Sequence, residues 1–120
     1  MSKKTLVLGA SLKAERYSNI AIHRLRKYGQ YTVAIGLRPG EVDDVKIHTD
    51  LVPFTNIDTV TLYLNPQRQE AYYDYILGLK PKRVIFNPGT ENPEFYKKLE
   101  KNGVEVEVAC TLVMLGTGQY

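Results

Sequence analysis

Short apolar runs alternate along this chain with longer segments in which apolar residues recur at helical spacing. The predicted strands are the β-branched runs at residues 5–9, 31–37, 58–64, 83–86 and 104–108. Strands that alternate with helices of 10–14 residues indicate a parallel sheet covered on both faces. With right-handed crossovers, the pattern predicts an α/β protein with a Rossmann-like, doubly wound parallel sheet of about five strands.

Helices are predicted between these strands at about residues 18–29, 66–79 and 92–102. Ser18 or Asn19 is expected to cap the first of them, and Asn65 the second. Residues 45–47 suggest a further short strand, and residues 110–120 a tail with one helical turn. No linker, repeat or low-complexity segment interrupts the pattern. We therefore expect one domain over residues 1–120.

The composition narrows the class of protein. The chain has 120 residues, 43% of them hydrophobic, which is ordinary for a globular domain. Its single cysteine excludes an internal disulfide framework and favours a reducing compartment. No run approaches the roughly 20 apolar residues of a membrane span, and the first apolar stretch is too short for a signal peptide. We expect a cytoplasmic protein with no membrane partner.

The formal net charge of +3 conceals an uneven distribution. Residues 1–40 hold eight basic side chains and one acidic side chain, whereas residues 41–120 hold eight basic and twelve acidic ones. A basic first third indicates an anionic partner at that end of the fold. The basic residues lack the interleaved aromatic residues of single-strand binders, so we expect no nucleic-acid partner. An uneven but merely solubilising surface is the alternative.

The loop after the first predicted strand carries groups suited to phosphate. It is not a G-x-G-x-x-G loop, because Ser11 stands at the second glycine position. A serine hydroxyl can donate to a phosphate, and Lys13 and Arg16 add positive charge. The helix that follows has no acid in its first turn, so its amides and dipole are open to an external anion. The loop is predicted to bind phosphate; a plain loop with surface charges is the alternative.

The end of the second predicted strand constrains the nucleotide. NAD-binding domains usually end this strand with an acid that binds the ribose hydroxyls, whereas this chain has Arg38. An arginine suits a phosphate on the ribose, which disfavours NAD and leaves NADP or another nucleotide with a ribose phosphate. A solvated turn arginine is the alternative.

Catalytic groups are sparse. His23 lies within the first predicted helix and His48 in an irregular segment, so the two histidines form neither a metal site nor a triad. Cys110 follows the last predicted strand and is expected to be a packed side chain, with a reactive thiol near the ligand as the alternative.

Several short motifs occur in an ordered series along the chain. They are VLGAS at 7–11, RYSN at 16–19, RPG at 38–40, LNP at 64–66, and Gly103-Val104 leading to Cys110. In this respect the whole chain resembles the small single-domain bacterial CoA-binding proteins, which are similar to the CoA-binding domain of the succinyl-CoA synthetase alpha subunit.

The resemblance implies a set of binding residues. The first loop and helix start would hold the CoA phosphates, the turn after the second strand would lie against the nucleotide, and the turn at 64–66 would border adenine and ribose. The implied residues are Gly9, Ser11, Lys13, Arg16, Ser18, Asn19, Arg38, Pro39, Leu64, Asn65 and Pro66. The chain departs from the synthetase in having Glu41 where that domain carries a lysine, and it lacks the phosphohistidine domain. The resemblance therefore implies binding and not ligase activity.

Three functions remain open at this point. The first is binding of coenzyme A or an acyl-CoA without catalysis. The second is an NADP-binding oxidoreductase or redox-sensing domain, which the missing glycine motif and the absence of a clear proton donor disfavour. The third is a regulatory interaction subunit, with a homodimer or another protein as its partner.

Overall fold

A computed structural model describes residues 2–120 and confirms the alternation of strands and helices. The strands are β1 (Thr5–Ala10), β2 (Thr32–Gly36), β3 (Gly40–Val42), β4 (Val45–His48), β5 (Thr59–Leu62), β6 (Arg83–Phe86) and β7 (Glu105–Val108). The helices are α1 (Tyr17–Lys27), α2 (Pro66–Gln69), α3 (Tyr73–Leu79), α4 (Pro93–Lys101) and α5 (Thr111–Gly116), with a 3₁₀ turn at Glu70–Tyr72.

The described strands form one sheet in the order β3-β4-β2-β1-β5-β6-β7. Every pairing is parallel except that of β3 with β4. The order from β4 to β7 is that of a doubly wound sheet, with its reversal between β1 and β5. The predicted Rossmann-like fold class is therefore confirmed. The strand count is seven rather than about five.

The two additional strands are the β3–β4 hairpin. β3 occupies the place of a crossover helix between the parallel strands β2 and β4. Its turn places Asp43 at a φ of 56°, a left-handed conformation that aspartate tolerates better than most residues. Val42, Val45 and Ile47 are buried, so the hairpin contributes to the core despite its short strands.

The sheet separates two apolar layers because side chains alternate along each strand. Leu6 and Leu8 of β1 face a layer that α3 and α4 cover, where Phe95 and Leu99 are fully buried. Val7 faces the opposite layer, which α1 and α5 cover. The tail expected to hold one helical turn is thus a packed helix, α5, of six residues.

The predicted cap of α1 is wrong. The N-cap residue is Arg16, with an extended backbone and no side-chain cap bond. Ser18 and Asn19 lie two and three residues further on, buried in the first turn. Asn19 instead donates from Nδ2 to the carbonyl oxygen of Ser11, 2.9 Å away, so its amide ties the preceding loop to the helix. The cap predicted at Asn65 is confirmed, because its side chain accepts from the amide of Arg68.

Candidate functional site

A cleft of about 440 Å³ opens at the carboxyl edge of the sheet. Its walls come from the loop after β1, the start of α1, the end of β2, the turn after β5, α2, and residues 88–90 after β6. This is the edge and the reversal point where open α/β sheets bind their ligands. The cleft therefore lies at the edge of the sheet where the sequence analysis predicted ligand binding.

Two glycines allow the strand ends to approach closely enough to form the floor of the cleft. Gly9 has a φ of 97°, and a Cβ atom there would lie 2.9 Å from the carbonyl oxygen of Tyr63. A Cβ atom on Gly36 would lie 2.3 Å from the carbonyl oxygen of Ala10. Neither position has room for a side chain, because the neighbour is backbone in both cases.

The start of α1 offers backbone donors to the cleft. The amides of Tyr17 and Ser18 have no acceptor within residues 2–120, and the first turn contains no acid. Ser11 stands beside them, with its hydroxyl accepting from the amide of Lys13 at 3.1 Å. Unpaired amides at the positive end of a helix dipole are suited to binding an anion.

Four cationic side chains line the cleft. Lys13, Arg16 and Arg38 are the predicted ones, and all three are exposed. The fourth is Arg68 of α2, which the sequence analysis missed. The sequence did contain a signal for Arg68. It lies three residues after Asn65, the predicted N-cap, and this spacing places it in the first turn of a helix that starts at the carboxyl edge of the sheet.

Within the described part of the chain, the cleft has no acidic side chain that offsets its cations. No aspartate or glutamate is among the described residues that line it. Within residues 2–120, none of the four cations forms an ion pair with a carboxylate; the ion pairs present lie elsewhere. Four basic side chains and a helix start therefore converge on the cleft without internal compensation, which raises its affinity for anions.

The predicted binding residues divide into two groups in the structure. Eight line the cleft: Gly9, Ser11, Lys13, Arg16, Ser18, Arg38, Leu64 and Asn65. Asn19, Pro39 and Pro66 are not part of its described lining. Asn19 supports the loop from behind, Pro39 is exposed in the β2–β3 turn, and Pro66 opens α2.

A buried amide network supports the wall on the β5 and β6 side. Gln69 donates from Nε2 to the carbonyl oxygens of Leu64 at 2.8 Å and Thr90 at 2.7 Å. Its Oε1 accepts from Nδ2 of Asn92 at 3.0 Å. The network joins the turn after β5 to the loop after β6. Its members are far apart in sequence, and no local pattern marks them.

Cys110 and His23 are not part of the described lining of the cleft. Cys110 is half-buried at the N-cap of α5, and His23 is exposed beside Asp43. Tyr63 lines the cleft, and burial raises the pKa of its hydroxyl far above the usual range, which keeps it protonated. Among residues 2–120, no group of three or more His, Cys, Asp or Glu side chains could hold a metal ion.

The fold and the cleft together define a doubly wound α/β domain with a basic cleft at its reversal point. The chain belongs to the CoA-binding domain family, whose model matches residues 3–116. The family is one of CoA-binding domains, which suggests CoA binding. Within residues 2–120, no helix has the length and apolar character needed to cross a membrane, and the cytoplasmic location stays a prediction.

Solved structures share this fold over nearly the whole chain. One, described as an uncharacterized protein, is 48% identical with a TM-score of 0.97, covering 100% of this chain and 99% of its own. A hypothetical protein from Pyrococcus horikoshii OT3 is 28% identical with a TM-score of 0.85, covering 97% and 83%. A Thermus thermophilus protein, 22% identical with a TM-score of 0.86, covers 99% and 91% and supports the fold alone. No curated protein matches the chain significantly.

Proposed function

We propose that the cleft binds coenzyme A or an acyl-CoA through its phosphates, as a binding module without catalysis of its own. The supporting observation is the meeting of Lys13, Arg16 and Arg38 with the unpaired amides at the start of α1, in a cleft lined by no acid. CoA carries a pyrophosphate and a ribose phosphate, and these groups match the donors in number and kind.

In this proposal each element of the site has a separate task. The pyrophosphate lies at the start of α1, where Arg16, Ser11 and the amides of Tyr17 and Ser18 are its donors. Arg38, in the turn after β2, binds the ribose phosphate. Gly9 and Gly36 let the strand ends approach one another to form the floor beneath the ligand, and Asn19 holds the loop in position behind it. The turn at residues 64–66 completes the far wall.

The ribose phosphate provides the first test. Calorimetric titration should show CoA binding at least about tenfold more tightly than dephospho-CoA, because Arg38 makes a charged hydrogen bond to the missing phosphate. Arg38→Ala should abolish this preference, while Arg24→Ala, on the exposed end of α1, should retain it. Equal binding of CoA and dephospho-CoA by the unaltered protein would exclude the role of Arg38.

Arg16→Ala should weaken CoA binding by about 2 kcal/mol, because a charged hydrogen bond to the pyrophosphate is lost. The free energy of unfolding should change by less than about 0.5 kcal/mol, since the side chain is exposed. Calorimetry and urea denaturation measure the two quantities separately. Unchanged affinity would remove Arg16 from the site.

NADP is the competing ligand, since it also has a ribose phosphate for Arg38. Titration with NADP under the same conditions distinguishes the two. NADP binding at lower concentration than CoA would replace the proposal with an NADP-binding domain. If no compound bound below millimolar concentration, the cleft would not be a nucleotide site.

A further inference from the structure

The cationic side chains are divided unevenly along the cleft. Lys13 and Arg16 lie in the loop after β1, and Arg38 lies in the turn after β2. Arg68 lies on α2, which follows β5. Because the sheet order is β2-β1-β5-β6, Arg68 is on the other side of the reversal point from the three cations. The cleft thus has a strongly basic half and a half with one arginine.

The half that contains Arg68 is otherwise neutral and firmly held. Its described lining includes Asn65, Tyr72 and Thr90, none of which is an Asp, Glu, Lys, Arg or His residue. The backbone of Arg68 is fixed because its amide donates to Oδ1 of Asn65 at 2.9 Å. The next residue, Gln69, is fully buried in the amide network. An arginine is thus held by its backbone at the cleft, with no carboxylate partner among residues 2–120.

A guanidinium group in this setting is suited to an external oxyanion, because its planar fork matches a carboxylate or a phosphate in two parallel hydrogen bonds. This step rests on the proposed function, which assigns the phosphates to the basic half. The part of the ligand that extends beyond them is the pantetheine arm with its acyl group. An oxyanion at that end is a carboxylate.

We propose that Arg68 binds a carboxylate on the acyl group, so that the preferred ligand is the CoA thioester of a dicarboxylic acid. The ligand then runs from its ribose phosphate at Arg38, over the start of α1, to its acyl end between Arg68 and Thr90. This direction differs from the expectation drawn from the family resemblance, which put adenine and ribose at the turn of residues 64–66. The charges along the cleft favour the direction proposed here.

Two stable thioethers of CoA isolate the effect of the carboxylate. S-(2-carboxyethyl)-CoA carries the charge, and S-(2-carbamoylethyl)-CoA has nearly the same shape without it. The full chain should bind the first about tenfold more tightly, the effect of one charged hydrogen bond at an exposed site. Arg68→Gln should reduce this ratio to about one, and its affinity for free CoA should fall by much less than its affinity for the carboxylated thioether. Arg24→Gln, which removes an arginine remote from the cleft, should retain the tenfold ratio.

The outcomes separate this inference from the proposed function. Equal binding of the two thioethers by the unaltered protein would overturn the role of Arg68, while binding of free CoA would keep the proposed function intact. A loss of free CoA affinity in Arg68→Gln as large as the loss for the carboxylated thioether would assign Arg68 to a phosphate and overturn the inference. Failure of all three compounds to bind the unaltered protein would refute the proposed function itself.

Discussion

Arg83→Ala is expected to lower the free energy of unfolding by about 3 kcal/mol, because it removes the buried centre of a polar cluster at the amino ends of the strands. Arg83 is only 7% exposed. Its guanidinium donates to Oγ1 of Thr59 at 2.8 Å, to the Glu107 carboxylate at 3.3 Å and to the carbonyl oxygen of Tyr120 at 2.9 Å. The variant leaves these acceptors without a charged donor.

The cluster also attaches the end of the chain to the sheet. The Arg83 guanidinium lies over the Tyr120 ring at 4.5 Å from its centroid, and the Tyr120 hydroxyl is hydrogen-bonded to the Thr5 hydroxyl. Loss of Arg83 therefore loosens a contact that joins the start of β1, the start of β6 and the C-terminal segment. We expect the loss of stability to be accompanied by faster amide hydrogen exchange in α5, which precedes Tyr120.

Lys82 is the matched control for Arg83, because it is the preceding residue and its side chain is 84% exposed. Its ammonium group lies 3.9 Å from the half-buried Asp58 carboxylate, a long contact of little energetic value because the lysine is exposed to solvent. Lys82→Ala should change the free energy of unfolding by less than about 0.5 kcal/mol. Urea denaturation followed by circular dichroism measures both variants. If the free energy of unfolding fell by a similarly small amount in Arg83→Ala and in Lys82→Ala, the cluster around Arg83 would contribute little to stability.

The parts of the fold that were predictable have strong local signals. β1, β5 and β6 lie in the centre of the sheet, and every side chain of β5 and β6 is buried. Strands covered on both faces appear in a sequence as continuous apolar or β-branched runs. The position of the cleft at the carboxyl edge of the sheet was predictable from topology, because parallel strands bring their carboxyl ends together. For the same reason, the loops holding Lys13, Arg16 and Arg38 were found to share one cleft.

The parts that were missed depend on contacts between distant segments. Of the β3–β4 hairpin, only β4 was predicted, as a short strand at residues 45–47; β3 has three residues, too short for alternation to be recognised. The amide network of Gln69 and Asn92 joins residues 23 apart in sequence, and polar side chains of this kind are usually on the surface. The α1 start was misplaced because Asn19, a typical capping residue, bonds backward to Ser11 instead.

Gly36→Ala is expected to destabilise the fold by about 3 kcal/mol and to disrupt ligand binding, through a clash between backbones. A Cβ atom at this position would lie 2.3 Å from the carbonyl oxygen of Ala10 and 3.1 Å from the Ile47 side chain. The carbonyl belongs to the neighbouring strand, so relief requires β1 and β2 to separate at their carboxyl ends. Overpacking of a well-filled site costs about 1–3 kcal/mol. We expect a loss at the upper end of this range, because the clashing atom belongs to the backbone and cannot rotate away as a side chain could.

Gly78→Ala is the matched control, because the same methyl group meets no atom within 4 Å at that position in α3. Alanine favours a helix over glycine by about 1 kcal/mol, so this variant should be as stable as the parent or more stable. Denaturation measures the stabilities, and calorimetry with CoA measures binding. If the two alanine variants had equal stability, the close approach of β1 and β2 would not be a constraint on the fold. If Gly36→Ala were destabilised yet bound CoA normally, the end of β2 would not shape the site.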